Sequence, residues 1–385
     1  MEYTACLSAA RRLVVKVGTS ILTHADGRID TEHMSQLVAE LASVADTGRD
    51  IILVTSGAVG AGMGRLGLTC RPQTLPEKQA VAAVGQGVLM RLYEQLFEQY
   101  GRVVGQILLT RQDVEDRTRY LNARHTFLTL LDFRVLPIVN ENDTVAVEEI
   151  RFGDNDTLAA LVAGLADADL VVILTDTGGL YNADPKVDSR AQLIPLVEEI
   201  TPEIEGLAGR PGSSLATGGM ATKVAAAKIA QAAGIPLVVA SGREKGVLMA
   251  LAQGLPRGTF FAARGRALPA RKHWIAFAQP VRGQIWVDAG AARAVLLYGK
   301  SLLPSGVGGV RGTFAPGQVV SVIGPAGQEI ARGMVNYGSA EVERLKGRQS
   351  HEIEAVLGYK DYDEIIHRDN LVLQRDLGAR EQAPG

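Results

Sequence analysis

Cysteines and aromatic residues are scarce in this chain, and neither sign of charge is in excess. Only two of the 385 residues are cysteines, Cys6 and Cys70, which is too few for a disulfide framework and favours a reducing compartment. Lysines and arginines number 40 against 42 aspartates and glutamates, so the overall charge does not indicate a polyanionic partner. We therefore expect a globular protein of the cytoplasm.

The sequence also has little that would direct it to a membrane. Its N-terminus carries Glu2 and no long apolar run, unlike a signal peptide. The best candidate for a membrane span is broken by Asp167 and Asp169, which leaves no uninterrupted apolar stretch of the required length. We expect no membrane association.

Several common catalytic signatures are absent or incomplete. The segment 299–301 ends like a Walker A loop, but Ala294 occupies the position of the required first glycine. The segment 62–67 has the glycine spacing of a dinucleotide-binding turn, yet it starts several residues past its predicted strand and no helix is predicted after it. No histidines and cysteines have metal-ligand spacing, and no G-x-S-x-G motif occurs. We predict no metal site formed by protein ligands.

Short apolar strands alternate with amphipathic helices through the first two thirds of the chain. The predicted strands are Leu13–Val17, Ile51–Val54, Val103–Leu109, Val135–Val139, Leu170–Leu174 and Ile235–Val239. This alternation predicts an α/β domain with a mostly parallel sheet sandwiched by helices. We assign this domain to residues 1–263.

The pattern changes after a basic segment, 264–280, which is typical of a linker. Beyond it, short segments with frequent glycine indicate a small β-rich domain at 281–360, followed by a C-terminal tail at 361–385. The predicted strand segments are 284–287, 294–297, 318–323 and 330–337.

Glycine-rich turns lie at three predicted strand ends, at 18–20, 56–60 and 217–220. Glycines allow backbone N–H groups to approach an anion closely, and a helix N-terminus adds a favourable field. Three such turns at one edge of a sheet predict a site for several anionic groups.

Two lysines lie beside these turns. Lys16 is in an apolar strand, where an unpaired ammonium group is costly. Lys223 is in the first turns of a helix, where a cation opposes the macrodipole unless an anion binds there. The alternative for Lys16 is an edge position or a structural ion pair, and for Lys223 it is solvent exposure.

The stretch 153–185 combines a helix, a buried strand and a loop. Asp156 is predicted to cap the helix, and Thr175-Asp176 closes the strand, where ligands collect in open α/β sheets. Plain turn chemistry is the alternative explanation for both polar clusters.

Taken in order, six motifs resemble the amino acid kinase superfamily. They are Val14–Ser20, Val54–Ala58, Asn140–Asp143, Phe152–Asp156, Thr175-Asp176 and Thr217–Lys223. Within the superfamily they are similar to the branch that uses ATP to phosphorylate the side-chain carboxylate of L-glutamate, which gives L-glutamyl 5-phosphate at the first step of proline biosynthesis. The segment 281–359 is similar to a PUA domain, an RNA-binding-type β module.

The resemblance implies a role for each matching residue. Lys16 and Lys223 would neutralise the transferring phosphoryl group, and Asp156 would orient both lysines. Ser56, Asp143 and Asn155 would bind L-glutamate. The residues implied to contact the nucleotide are Lys16, Thr175, Asp176, Thr217, Gly218, Gly219, Met220, Ala221, Thr222 and Lys223.

The resemblance also implies ATP with Mg²⁺, a homo-oligomer such as a tetramer, and feedback inhibition by proline. The absence of an evident general base agrees with such a reaction, because a carboxylate acceptor with a reference pKa of about 4.3 is already ionised at neutral pH.

Other functions remain open at this point. The acceptor could instead be aspartate, N-acetylglutamate, carbamate or a nucleoside monophosphate. A different class would be an RNA-binding protein with a degenerate kinase domain. Residues 281–360 contain nine lysines and arginines against six aspartates and glutamates, which is a weak electrostatic signal for nucleic acid. Retention of both lysines and of Asp156 favours an active kinase.

Overall fold

The chain forms two compact units, residues 1–267 and 268–385. The computed structural model describes residues 2–24, 28–146, 154–185, 187–209, 219–263, 272, 275 and 279–374. Most of the predicted linker, 264–280, and the last residues of the predicted tail lie outside these ranges, so the predicted domain limits stay predictions. Within the described ranges, no helix has the length and apolarity needed to cross a membrane.

The first unit is built on an eight-stranded sheet, as the alternating pattern predicts. Its strands are β1 (Arg12–Val17), β2 (Asp50–Val54), β3 (Val104–Leu109), β4 (Leu136–Glu141), β5 (Leu170–Thr175), β6 (Leu196–Val197), β7 (Leu237–Ser241) and β8 (Thr259–Phe261). The strand order is β3-β4-β2-β1-β5-β7-β8-β6. All pairs are parallel except β7 with β8, which is antiparallel. The predicted mostly parallel sheet is therefore confirmed.

Helices connect and cover these strands. They are α1 (Glu2–Ala9), α2 (Thr19–Leu22), α3 (Thr31–Asp46), α4 (Ala58–Leu66), α5 (Leu75–Glu98), α6 (Arg111–Glu115), α7 (Arg117–Asp132), α8 (Asn155–Leu165), α9 (Pro202–Leu207), α10 (Met220–Ala232) and α11 (Val247–Ala252). The long helix α5 begins in a capping box formed by Thr74 and Glu77, which satisfies two backbone donors at its start. Almost every residue of α8 is buried, so this helix is part of the core.

Two glycines allow α4 and α5 to cross at close contact. A Cβ atom on Gly62 would lie 1.9 Å from the carbonyl oxygen of Val81, and one on Gly85 would lie 1.7 Å from that of Ala58. The dinucleotide-like glycine pattern at 62–67 lies inside α4 and at its end, where Gly62 allows the close crossing and Gly67 is the left-handed C-cap.

Replacing Gly85 with alanine should destabilise the first unit by about 1–3 kcal/mol, because the added methyl group forces the two backbones apart. Gly87 is the matched control: it lies on the same helix with open space around it. Gly87→Ala should stabilise α5 by about 0.5–1 kcal/mol. Denaturant unfolding of both variants measures the difference, and equal stabilities would contradict the close crossing.

The second unit contains a five-stranded sheet in the order β10-β9-β11-β12-β13. Its elements are β9 (Val281–Val287), α12 (Ala289–Tyr298), β10 (Val307–Gly312), β11 (Val319–Ile323), β12 (Glu329–Met334), α13 (Ser339–Leu345), α14 (Ile353–Leu357) and β13 (Leu371–Leu373). Strand β13 lies within the segment predicted as a C-terminal tail, so that part of the segment belongs to the sheet.

The predicted strand at 294–297 is wrong, because these residues lie in helix α12. Asp288 caps this helix by accepting a hydrogen bond from the backbone N–H of Ala291 at 2.7 Å. The helix ends at Gly299, which has a left-handed conformation with φ of 56°. The glycine of the Walker-like segment therefore ends a helix. A short apolar run does not by itself distinguish a strand from a buried helix face.

Candidate active site

The candidate site lies where the carboxyl ends of the central parallel strands meet the start of α8. Lys16 is the penultimate residue of β1, and Thr175 is the last residue of β5. Ser56 follows β2 after one residue, and Asp143 lies in the turn after β4. Since the carboxyl ends of parallel strands lie at the same edge of a sheet, the topology brings these residues together.

One buried carboxylate joins the two lysines predicted to be catalytic. Asp156 Oδ1 lies 2.6 Å from Lys16 Nζ, and Asp156 Oδ2 lies 3.2 Å from Lys223 Nζ. The hydroxyl of Thr222 donates a third interaction to Oδ2 at 2.7 Å. The structure therefore brings together side chains from β1, α8 and α10 that are up to 207 positions apart in sequence (from 16 to 223).

Two ammonium groups share the one carboxylate of Asp156 in this cluster. Asp156 is fully buried, and Lys16 and Lys223 are 6% and 3% exposed. Burial raises the pKa of Asp156, but the two ammonium groups more than offset this and hold the pKa below its ordinary value. Burial lowers the pKa of Lys223, against the attraction of Asp156. Two buried ammonium groups beside the N-terminus of α10 are suited to an anionic ligand.

The structure corrects the predicted helix cap. Asp154, two residues before Asp156, is the N-cap of α8, and its carboxylate accepts hydrogen bonds from the backbone N–H of Thr157 at 2.7 Å and from its hydroxyl at 3.1 Å. Burial, followed by the nearby charge of Asp156, raises the pKa of Asp154. With the cap supplied by Asp154, the carboxylate of Asp156 is free to contact the lysines.

The next residue, Asn155, is held beside Ser56. Its Nδ2 donates to the backbone oxygen of Thr55 at 2.7 Å, to Ser56 Oγ at 3.0 Å and to Asn140 Oδ1 at 3.0 Å. An amide nitrogen has two N–H groups, so three acceptors use all of its capacity. The amide oxygen of Asn155 is then the atom that remains for a ligand. Asp143, predicted beside these residues, is half-buried in its turn.

Apart from Lys16 on β1, the predicted nucleotide residues that the structure describes lie at the end of β5 and at the start of α10. Thr175 is buried and donates to Asp176 Oδ1 at 3.1 Å, while Asp176 itself is exposed and attracts Lys223. Gly219 is the N-cap of α10, and Met220, Ala221 and Thr222 form its first turn. Backbone N–H groups at such a helix start favour phosphate.

Thr217 and Gly218 were also predicted to contact the nucleotide, and both lie outside the described residues. The glycine turn at 18–20 lies beside Lys16. A Cβ atom added at Gly18 would lie 3.6 Å from Lys16 Nζ. Small residues at this position leave space beside the ammonium group.

Two contacts of the site were not predicted from sequence. The hydroxyl of Thr222 contacts Asp156, although Thr222 was assigned only to the nucleotide. Asn140, inside the motif Asn140–Asp143, contacts Asn155 but was given no role of its own. The position of Asn140 in that motif is the sequence signal that could have indicated its role in the site.

Comparisons with known proteins match both units of the chain. The amino acid kinase family model matches residues 11–241, and the PUA domain model matches residues 283–357. Glutamate 5-kinase of Moorella thermoacetica is 60% identical over 372 residues, which is 97% of this chain and 98% of the relative.

Two further relatives carry the same name. Glutamate 5-kinase of Caldanaerobacter subterraneus subsp. tengcongensis is 52% identical, over 94% of this chain and 97% of the relative. That of Carboxydothermus hydrogenoformans is 53% identical, over 95% of this chain and 98% of the relative. The similarity to these relatives therefore extends over nearly the full length of both chains.

Proposed function

Because the chain belongs to the glutamate 5-kinase branch of the amino acid kinase family, we propose that it transfers the γ-phosphoryl group of ATP to the side-chain carboxylate of L-glutamate. The product is L-glutamyl 5-phosphate, the first intermediate of proline biosynthesis. The observation that carries the proposal is the buried cluster in which Asp156 holds Lys16 and Lys223.

The chemistry of this transfer explains why two buried cations are needed. Phosphoryl transfer depends on positioning and on neutralising charge more than on covalent catalysis. Here the nucleophile is itself a carboxylate, so a negative group approaches a negative phosphate. Fixed ammonium groups stabilise the developing charge without having to reorganise. Lys16 and Lys223 are held in place for this by Asp156, which orients them and accepts no proton from the substrate.

The described residues are suited to the phosphate groups of ATP. The two buried ammonium groups of the cluster and the N-terminus of α10 both favour phosphate. Among the described residues, no group of three or more histidines, cysteines, aspartates or glutamates could hold a metal ion. We propose that Mg²⁺ enters as part of the substrate Mg·ATP, in which it neutralises phosphate charge.

The acceptor is proposed to lie beside Asn155 and Ser56. The amide oxygen of Asn155 and the carboxylate of Asp143 are suited to the ammonium group of an amino acid, and Ser56 Oγ can donate to a carboxylate. Relatives at 50–60% identity bear the name glutamate 5-kinase. They do not favour the alternatives of an aspartate kinase, an N-acetylglutamate kinase or a degenerate kinase domain.

Further properties follow from the resemblance alone and are also proposals. They are a homo-oligomeric assembly, inhibition by proline at or near the glutamate site, a cytoplasmic location, and RNA binding by the PUA-like unit. The family match at 283–357 shows the domain type, and a partner for it is not assigned by that match.

The proposal is tested by trapping the product. Acyl phosphates react with hydroxylamine to form coloured hydroxamates, so the purified chain is incubated with Mg·ATP, L-glutamate and hydroxylamine. We expect hydroxamate to form only when Mg·ATP, L-glutamate and hydroxylamine are all present. We also expect the release of ADP to depend on glutamate. Glutamate-independent ATP hydrolysis with no hydroxamate would contradict the proposal.

A further inference from the structure

Two side chains of helix α5 lie behind the proposed acceptor site. Gln86 Oε1 accepts a hydrogen bond from Asn140 Nδ2 at 2.9 Å. Seven residues later, and so on the same face of the helix, the hydroxyl of Tyr93 lies 2.8 Å from Thr55 Oγ1. Asn155 Nδ2 donates to Asn140 Oδ1 and to the backbone oxygen of Thr55, so Tyr93 acts on the second contact through the side chain of the same residue. Helix α5 therefore supports two of the three contacts that hold Asn155.

The contacts determine which way each amide faces. The backbone N–H of Glu141 donates to Asn140 Oδ1 at 2.9 Å, so the oxygen of Asn140 faces Glu141 and Asn155. The amide nitrogen of Asn140 must then face Gln86, and Gln86 must present its oxygen. Without that acceptor, the Asn140 amide nitrogen is left without a partner, and Asn140 loses one of the contacts that fix it beside Asn155. Asn155 is then held less firmly.

Gln86 keeps this orientation at a cost to the fold. Its Nε2 atom is buried, and in the described part of the chain no group accepts a hydrogen bond from it. A buried unpaired donor is destabilising and rare in native structures. An apolar side chain of similar shape would avoid that cost. The presence of glutamine here is explained if the position of its oxygen matters to the site.

We propose that Gln86 and Tyr93 are positioning residues for the amino-acid acceptor. They act through Asn140 and Thr55 on Asn155, which contacts the substrate. This inference rests on the proposed function, because it takes Asn155 as a residue that binds L-glutamate. The hydrogen bonds of Gln86 and Tyr93 lead to the acceptor side, whereas Asp156 and its lysines form the phosphoryl side. Disturbing α5 at these positions should therefore weaken glutamate binding and leave ATP binding unchanged.

The test is Gln86→Met, which keeps the length of the side chain and removes the acceptor oxygen. We expect the KM for L-glutamate to rise about tenfold, because Asn155 must then be ordered when the acceptor binds, which costs up to about one such factor. The KM for ATP should stay at the wild-type value. Tyr93→Phe removes one hydroxyl and should raise the KM for glutamate about threefold.

The matched control is Gln95→Met, on the same helix at an exposed position, which should leave both KM values unchanged. A wild-type KM for glutamate in Gln86→Met would overturn the inference, as would equal rises in both KM values together with a lower Tm. If Gln86→Met does not fold, a wild-type KM for glutamate in Tyr93→Phe overturns it. Failure of the proposed function is distinguishable, because the wild-type chain would then not phosphorylate glutamate.

Discussion

Replacing Lys223 with methionine should lower kcat by about 10²–10³-fold, the loss typical when one preorganised donor to a developing oxyanion is removed. The Tm should change little. Lys16 still pairs with Asp156 in this variant, so the buried carboxylate keeps an ammonium partner. Lys16→Met should behave in the same way, because Lys223 then pairs with Asp156.

Lys228 provides the matched control for this prediction. It lies on the same helix, five residues after Lys223, and its ammonium group pairs with Glu205 at the surface. Lys228→Met should keep the wild-type kcat, because surface ion pairs contribute little. Initial rates at saturating ATP and L-glutamate, with thermal unfolding of each variant, measure both effects. A wild-type kcat in Lys223→Met would remove that lysine from the mechanism.

Asp156→Asn should impair both catalysis and folding. The substitution leaves two buried ammonium groups facing a neutral amide, and breaking a buried ion pair by removing one partner costs about 3–5 kcal/mol. The lysines would also lose their fixed positions, so kcat should fall at least as far as in the lysine variants. The combination of a lower Tm and a lower kcat distinguishes this variant from Lys16→Met and Lys223→Met.

The comparison for Asp156→Asn is Asp116→Asn, at the N-cap of α7, where Asp116 accepts a hydrogen bond from the backbone N–H of Arg119 at 2.8 Å. Asparagine caps helices about as well as aspartate, so this variant should keep its activity and Tm. Thermal unfolding with and without Mg·ATP completes the measurement, because bound phosphate should recover part of the stability lost in Asp156→Asn. If Asp156→Asn matches wild type in kcat and Tm, the charge of Asp156 neither stabilises the fold nor orients the lysines.

Much of the first unit could be predicted from sequence because its strands are buried on both faces. The apolar runs in β1, β2 and β5 leave little alternative to central parallel strands, and their polar ends locate the site. The alternation of strands and helices then predicts the mostly parallel sheet. The position of Lys16 alone indicates that it has an anionic partner, because an unpaired ammonium group within such a strand is costly.

Other features depend on contacts that local sequence does not contain. Asp154 and Asp156 are equally good capping residues, and which of them caps α8 depends on the extended backbone at Asp154, with φ of −154° and ψ of 152°. Gln86 is a neutral residue on a long helix, and its partner Asn140 is 54 positions away. The roles assigned to the site residues came from family resemblance, since spacing alone could not distinguish phosphate binding from turn chemistry.

The prediction for α12 failed for a related reason. Residues 294–297 are a short apolar run, and such a run fits a strand or one face of a helix equally well. The capping contact of Asp288 with Ala291 and the left-handed Gly299 show it to be a helix. Both signals lie outside the run itself.

The most direct test of the account is the choice of acceptor, measured as kcat/KM for L-glutamate, L-aspartate and N-acetyl-L-glutamate. Aspartate is one methylene shorter, which hydrophobic contact alone discriminates by only about 1–3 kcal/mol. If Ser56, Asp143 and Asn155 hold the amino-acid head, aspartate also stops short of an in-line approach, and such misplacement is costly in rate. N-acetylation removes the ammonium charge that Asp143 would bind. We predict the highest kcat/KM for L-glutamate by a wide margin, and an equal or higher value for either alternative acceptor would contradict the account.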